Sequence, residues 1–455
     1  MPTPSLLPLP LPPGYRSWEL LVRLGAIQSD TLGFLMAATR RYGDLVSLQA
    51  GAQTAILAHH PDAVRRVLHD NHANYTKDTQ QYRALATITG QGLLTNDGPA
   101  WLRQRRLAQP AFARPRLAGL ETAVLPAAGH LLDGWEEAAR QGRPVDVDAA
   151  MLQITLEVVG RALFSIDLHR EAGRLTGATL TVLDHIIHQA RHPLSAPGFL
   201  PTPRNLRFKR ALRALDAAVY ELIAARQAQD DPGQDLLGRL LQARDEHSGQ
   251  AMTLTQVRDE VITLLIAGHE TVASALTWSW YLLAQHPAAR EELEAELERV
   301  LHGRPPGTAD LPALEYTALV FHEALRLYPP AWVITRQALA GDEACGYRIP
   351  AGALVIISPY VLHRHPRLWP DPERFDPLRF VEDPQRSRPR FSYIPFGSGP
   401  RLCIGNHFAL VEAQLILAAV AQRFRLELDP GQDVQVDALV TLRPRRGLPM
   451  RLVRR

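Results

Sequence analysis

The chain has 455 residues, 46% of them hydrophobic, which is enough to bury a large core and beyond the usual size of a single domain. Fifty Lys and Arg against 47 Asp and Glu leave a net charge of +3, too balanced to indicate a nucleic-acid partner. Only two cysteines occur, Cys345 and Cys403, so a disulfide framework is excluded and a reducing cytoplasm fits best. All the basic residues except Lys77 and Lys209 are Arg; Arg forks suit carboxylates, but genome composition alone explains such a bias and is the preferred reading.

Residues 1–15 are proline-rich, which forbids a helix, and no basic residue precedes Arg16, so neither a signal peptide nor a membrane anchor is expected there. No stretch of about 18 uncharged apolar residues follows, so no bilayer span is expected and a soluble, cytoplasmic protein is. Short runs at Leu45–Gln49 and Thr54–Ala58 predict a small sheet on the N-terminal side, and Pro61–Leu68 has helical spacing. From Trp101 to about Leu301 the pattern is almost wholly helical. Breaks at 191–205 and 229–234 read as connections inside one fold. Trp101 and Arg105, four apart, share a helical face and suit the clamping of carboxylates; a core Trp beside a solvated Arg is the alternative.

Thr253–Gln285 is the longest helical candidate, with Thr253 and Gln256 spaced as a capping box and Pro287 beyond its end. At its centre lies Ala267-Gly268-His269-Glu270-Thr271. A mid-helix glycine costs roughly 1 kcal/mol against alanine, and a buried carboxylate costs more unless paired. Small Ala267 and Gly268 would leave room for a diatomic molecule, while Glu270 and Thr271 could pass protons to it. A solvent-facing Glu and a Thr bonded one turn back are the alternative.

Glu323 and Arg326 lie three apart on a helix that Pro329-Pro330 ends, and Arg374 follows in the Pro372–Phe375 loop. The three charges read either as a buried network or as surface pairs of little worth. Strand character returns at Tyr347–Ser358, where residues 349–353 have the composition of a hairpin turn. Cys345, in the Gly341–Gly346 turn, reads as structural.

The densest signal is Phe396–Gly405, with Cys403 held in a loop that Gly397 and Gly399 allow to turn. Gly405 leaves room for a flat group against the backbone. Arg401, together with the positive end of a helix starting near Asn406, favours the thiolate of Cys403. One cysteine cannot make a structural zinc or iron–sulfur site, whereas haem iron needs a single axial thiolate from the protein. An inert cysteine in a glycine turn is the alternative.

The loop fits Phe-x-x-Gly-x-Arg-x-Cys-x-Gly at every fixed position, and with Ala267–Thr271, Glu323–Arg326 and Pro372–Phe375 in order the chain resembles the cytochrome P450 superfamily. The N-terminal prolines and Trp101-x-x-x-Arg105 extend the resemblance over the whole chain, as one domain of residues 1–455 with no fused reductase. It implies a mainly α fold with minor β, a single triangular helical domain with a small N-terminal-side sheet. Haem b (protoporphyrin IX iron) would lie between the helix carrying Thr271 and the helix after Cys403. Cys403 would be the metal ligand. Trp101, Arg105, Arg336 and Arg401 would bind the haem propionates, Phe396, Gly405, Ala267 and Gly268 would complete the cofactor site, and Glu323, Arg326 and Arg374 would be structural. Thr271 with Glu270 would deliver the protons that O–O cleavage consumes.

Within the superfamily, Gln81–Leu85, Thr89–Thr95, Gly268–Ser279, Glu323–Trp332 and Thr441–Pro444 are similar to a bacterial carotenoid β-ring hydroxylase. That resemblance implies an apolar channel with Leu264, Leu265, Ala331, Trp332, Val333 and Leu442, and a substrate such as β-carotene. A fatty-acid or terpenoid hydroxylase of the same superfamily and a non-catalytic haem sensor are the alternatives. Electrons would come from a separate ferredoxin or flavodoxin with its reductase, docking on a basic face that includes Arg103, Arg106, Arg114 and Arg116. A proline-rich stretch, Pro193–Pro203, would touch membrane transiently.

Overall fold

In a computed structural model of the chain, the described residues are 9–113, 117–166, 177–179, 181, 182, 184, 185, 188, 189, 199–229, 233, 235–244, 249–381 and 388–455. Arg114, Arg116, residues 193–198 and the first eight residues of the proline-rich segment lie outside them. The chain groups into two compact units: residues 1–83, 331–374 and 382–403, and residues 84–330, 375–381 and 404–455.

The first unit is built on strands β1 (Gly14–Tyr15), β2 (Leu45–Ala50), β3 (Gln53–Ala58), β4 (Tyr75–Thr76), β5 (Ile334–Ala338), β6 (Asp342–Ala344), β7 (Tyr347–Ile349) and β8 (Leu354–Ile357). Six of them form one sheet in the order β1-β2-β3-β8-β5-β4. The two strands expected here are present and pair as a hairpin, with Leu45 opposite Ala58 and Ala50 opposite Gln53. Parallel pairing of β3 with β8 and antiparallel pairing of β8 with β5 then bring the distant segment after Ala331 into the same sheet. Val46, Ile56, Leu57, Val355 and Ile357 are fully buried. At about 25 cal/mol per Å² of apolar surface, such burial supplies the main drive for pairing strands so far apart in sequence.

Residues 349–353 do not close a hairpin. Instead β7 pairs back with β6 across the two-residue turn Cys345-Gly346, where φ is 50° and 79°. Two successive left-handed residues give the tight turn whose twist matches a two-stranded ribbon. Pro350 and the residues after it therefore link two separate sheets, and Cys345 is an exposed turn residue.

Helices dominate the second unit: α1 (Gly98–Ala108), α2 (Glu121–Arg140), α3 (Val147–Phe164), α4 (Pro203–Gln227), α5 (Leu254–Gln285), α6 (Pro287–Leu301), α7 (Glu315–Leu327) and α8 (Asn406–Ala421). Its strands are short: Phe424–Glu427 pairs with Pro449–Arg454, and Val436–Ala438 with Leu442–Pro444. The expected capping box starts α5, with Thr253 Oγ1 accepting from the Gln256 amide at 3.2 Å and Gln256 Oε1 from the Thr253 amide at 2.9 Å. This helix is long and apolar enough to cross a bilayer, yet 83% of its most apolar window is buried inside the protein, so it is a core helix. Close packing against α3 accounts for Gly268, where a Cβ would come within 3.0 Å of Val159.

Glu323 and Arg326 of α7 are both fully buried, with Arg326 Nε donating to Glu323 Oε2 at 2.7 Å and Nη2 to Oε1 at 2.8 Å. Arg379 Nε and the Asp376 amide also donate to Oε1, at 3.0 and 2.9 Å. The surface-pair reading is therefore wrong for this motif. The third charge on Glu323 is Arg379, five residues beyond the Arg374 that the sequence suggested. Four donors on one carboxylate, three of them on Oε1, offset the cost of desolvating two guanidinium groups and their counter-charge.

A second buried acid lacks such support. Glu412 of α8 is fully buried, and neither carboxylate oxygen has a hydrogen-bond partner among the described residues. Burial raises its pKa well above the ordinary carboxylate value, so the group is held protonated.

Glu323→Gln should cost about 3–5 kcal/mol in urea unfolding, since it strands two buried guanidinium groups. A loss below about 1 kcal/mol would mean the network contributes little. For Glu412 the folded pKa lies above the unfolded one, so its stabilisation is complete below the unfolded value and is lost as the pH rises towards the folded value. Glu412→Gln should accordingly gain on the natural protein in urea midpoint between pH 5 and pH 8. An offset that does not change with pH would show that Glu412 does not titrate there.

Candidate functional site

Cys403 ends the first unit's portion of the chain, and three backbone hydrogen bonds shape its loop. The Cys403 amide donates to the Phe396 carbonyl at 3.0 Å, the Gly397 amide to Ile394 at 3.0 Å and the Leu402 amide to Gly399 at 3.0 Å. Gly397 and Gly399 have φ of 73° and 69°, the left-handed region that glycine enters without strain. Gly399 has a further reason, because a Cβ there would overlap the Leu68 carbonyl. The thiol of Cys403 is exposed, while Phe396 and Arg401 are half-buried. On β5 of the same unit Arg336 is buried, Nη1 donating to the Thr335 carbonyl at 2.8 Å and the Tyr82 hydroxyl at 3.3 Å. The guanidinium carbon also sits 6.0 Å from the Tyr82 ring centre. Tyr82, to which the sequence gave no individual role, therefore fixes where Arg336 points.

In the second unit, Thr271 donates its hydroxyl to the Ala267 carbonyl at 2.8 Å, the local bond common in helices. A hydroxyl that has given its proton away still has two lone pairs, so Thr271 remains an acceptor. Glu270 is buried and faces Arg443 Nη1 and Thr441 Oγ1, each at 3.4 Å. The other arm of Arg443 donates to Asp148 Oδ2 at 2.5 Å, and Thr277 Oγ1 adds a bond to Asp148 at 3.3 Å. Burial raises the pKa of both acids, and Arg443 opposes it. Long bonds and a raised pKa leave Glu270 able to hold a proton. Its neighbour His269 is kept neutral by burial, which lowers its pKa to about 4. Neither Arg443 nor Asp148 was legible as a partner of Glu270, since no local spacing links α3, α5 and the C-terminal strands.

Trp101 and Arg105 are half-buried on α1, one turn apart as expected. Ala267 and Gly268 are half-buried on α5, and the contact with Val159 gives Gly268 a packing reason to lack a side chain. Gly405 immediately precedes α8 with φ of −93°, open to any residue, and a Cβ there would lie 3.7 Å from the Phe112 ring. Neither strain nor crowding within the protein calls for glycine at 405, which fits a flat cofactor lying against it. Leu264, Leu265 and Leu442 are buried in this unit, and Trp332 in the other.

Among the described residues no three His, Cys, Asp or Glu side chains converge on a metal-sized site. A single accessible thiol on a backbone-fixed loop suits a metal whose remaining ligands a macrocycle provides.

Comparisons with known proteins agree. The cytochrome P450 family model matches residues 12–446. A cyclooctatin synthase of Streptomyces melanosporofaciens is 40% identical over 93% of this chain and 93% of its own length. A pentalenene oxygenase of Streptomyces avermitilis is 37% identical over 92% of each. A chloroplastic carotene epsilon-monooxygenase of Arabidopsis thaliana is 30% identical over 91% of this chain and 80% of its own. Among solved structures, the haem domain of cytochrome P450DA superposes with a TM-score of 0.88 at 28% identity, covering 99% of this chain and 98% of that one.

Gly405→Ala should leave the thermal midpoint of the cofactor-free protein within experimental error, because the added methyl has room. Haem retention during gel filtration against apomyoglobin should fall. Equal retention would show that the 405 backbone does not touch the cofactor.

Proposed function

Because the chain belongs to the cytochrome P450 family, we propose that Cys403 provides the thiolate to its haem and that the oxygen atom it inserts goes into a terpenoid hydrocarbon. As a member it is a monooxygenase with haem b as cofactor, held by a cysteine thiolate. Bound haem supplies the oxygen activation, and the overall reaction takes O2, two electrons and two protons to one hydroxylated product and one water. The observation that carries the assignment is the Cys403 loop, whose own amide is tied to Phe396 while its thiol is exposed. Cys345, the other cysteine, sits in a strand-to-strand turn with a pKa raised by burial, which suits a ligand poorly.

The remaining residues take roles their chemistry permits. Arg105, Arg336 and Arg401 offer guanidinium forks to the two haem carboxylates, with Trp101 as a further donor. Arg336 has already committed part of one nitrogen to Tyr82, so its orientation is set before the cofactor arrives. Thr271, as an acceptor, positions a proton donor such as water, and Glu270 supplies and recovers the proton, with Arg443 holding its carboxylate in place. Electrons come from a separate ferredoxin or flavodoxin with its reductase.

The terpenoid class rests on the relatives: the pentalenene oxygenase at 37% identity and the carotene epsilon-monooxygenase at 30% both carry isoprenoid substrates in their names. A narrower reading is hydroxylation of the β-ring of a carotenoid such as β-carotene; the second of these relatives supports a carotene substrate, though its name gives the ε-ring, and the β-ring rests on the likeness of residues 81–85 and 268–279 alone. Ferric protein titrated with pentalenene, β-carotene and palmitate decides between them. A Soret shift and hydroxylated product with either isoprenoid are expected, and with β-carotene if the narrower reading holds. Shift and product with palmitate alone would overturn the terpenoid assignment.

Thr271→Ala should lower product formation by roughly 10²-fold, the lower range for a general acid–base contribution, while reductant is still consumed and appears as hydrogen peroxide. Unchanged product per reductant would remove Thr271 from the reaction.

A further inference from the structure

The carboxylate of Asp342, on β6, is almost wholly buried although it belongs to a small two-stranded ribbon. It collects every donor in reach. Arg66 Nη2 donates to Oδ1 at 2.7 Å and Nε to both oxygens at 3.1 and 3.2 Å. Asn71 Nδ2 donates to Oδ2 at 2.9 Å and the Tyr75 hydroxyl to the same oxygen at 2.8 Å. Burial works against its charge, but the bonds from Arg66, Asn71 and Tyr75 win and hold its pKa down to about 2. It is ionised at neutral pH.

Arg66 and Asn71 are not arbitrary neighbours. They are the two ends of a single wide helical turn, residues 66–70, closed by the Asn71 amide donating to the Arg66 carbonyl at 2.9 Å. A turn with this i to i+5 bond is rare in proteins and does not persist on propensity alone. One carboxylate grips it at both ends. The middle of the same turn bears on the cysteine loop, because the Leu68 carbonyl occupies the place a Cβ of residue 399 would take. His69, the next residue, stacks edge-on against Phe391 with ring centres 5.9 Å apart. All of these residues belong to the first unit.

We infer that Asp342 is a positioning residue for Cys403: by clamping both ends of the 66–70 turn it fixes the Leu68 carbonyl, against which Gly399 seats the cysteine loop. The inference rests on the reading of Cys403 as haem ligand. Its physical content is that the placement of the axial sulfur, and so its electron donation, depends on an ion pair in the sheet region rather than only on the loop itself. Without the clamp, the turn relaxes towards ordinary helix, the carbonyl moves, and the loop gains freedom to protonate or release its thiolate.

The test is Asp342→Asn in the haem-loaded full chain, beside Arg425→Ala, which breaks the Arg425–Glu294 pair of the second unit and serves as a stability control. Asp342→Asn is expected to take up haem, but its reduced CO complex should lose the red-shifted thiolate-type band about tenfold faster on mild warming, the factor that ~1.4 kcal/mol off a barrier gives. Its haem reduction potential should also rise. Asn71→Ala, which removes one hydrogen bond from an uncharged donor and keeps the ion pair, should move both readouts the same way by less. Arg425→Ala should lower the thermal midpoint and move neither. If Asp342→Asn only lowers the midpoint as the control does, the clamp is structural and the inference is wrong. If Asp342→Asn fails to bind haem, Asn71→Ala decides on the same two readouts. A natural protein without the thiolate-type band would instead remove the ligand assignment on which the inference stands.

Discussion

A buried carboxylate that stays ionised needs cations or other donors to offset its lost hydration, and in this chain Arg meets that need at several places where separate segments come together. Glu323 takes Arg326 and Arg379, Asp148 and Glu270 share Arg443, and Asp342 takes Arg66. Each cluster joins segments that hydrophobic packing alone would leave free to slide, because dispersion and burial have no direction whereas a forked guanidinium does. The near-exclusive use of Arg over Lys, read from composition as a bias, has a structural use at these positions. Lysine in any of them would keep the charge and lose the second bond.

The cysteine loop and the helix centre illustrate two ways of preparing a site. At Cys403, backbone amides and two left-handed glycines shape the turn. At Thr271 and Glu270, side chains are already engaged, one with its own helix and one with Arg443. A proton route built there works through groups whose hydrogen bonds are long or partly unused, which is the condition for exchanging a proton without unfolding anything.

What could be read from the sequence was what a local rule controls. The bounds of α5, its capping box, the start of α8 near Asn406 and the strands β2 and β3 follow from spacing and caps, and so does the likeness of the cysteine loop to its family. Most of what escaped was set by contacts outside any local window, from 56 residues apart at Glu323 and Arg379 to 276 at Arg66 and Asp342. The hairpin expected at 349–353 failed because β7 found β6 through two left-handed residues, and β8 found β3 and β5. Arg379 and Arg443 carry no local mark of their partners. Likewise the wide turn at 66–70 reads as plain helix, since nothing in Arg66–Asp70 announces an acid at position 342.

Gly268 invites an oxygen-centred explanation, being small and beside the residues of the proton route. Its contact with Val159 gives a nearer one, since a Cβ there would press on a valine methyl of α3 at 3.0 Å. Anyone reshaping this enzyme by directed evolution would therefore find that Gly268→Ala is judged first by whether Val159 can give way, and only then by what it does to catalysis. A glycine at such a position reports on how two helices cross as well as on what the site oxidises.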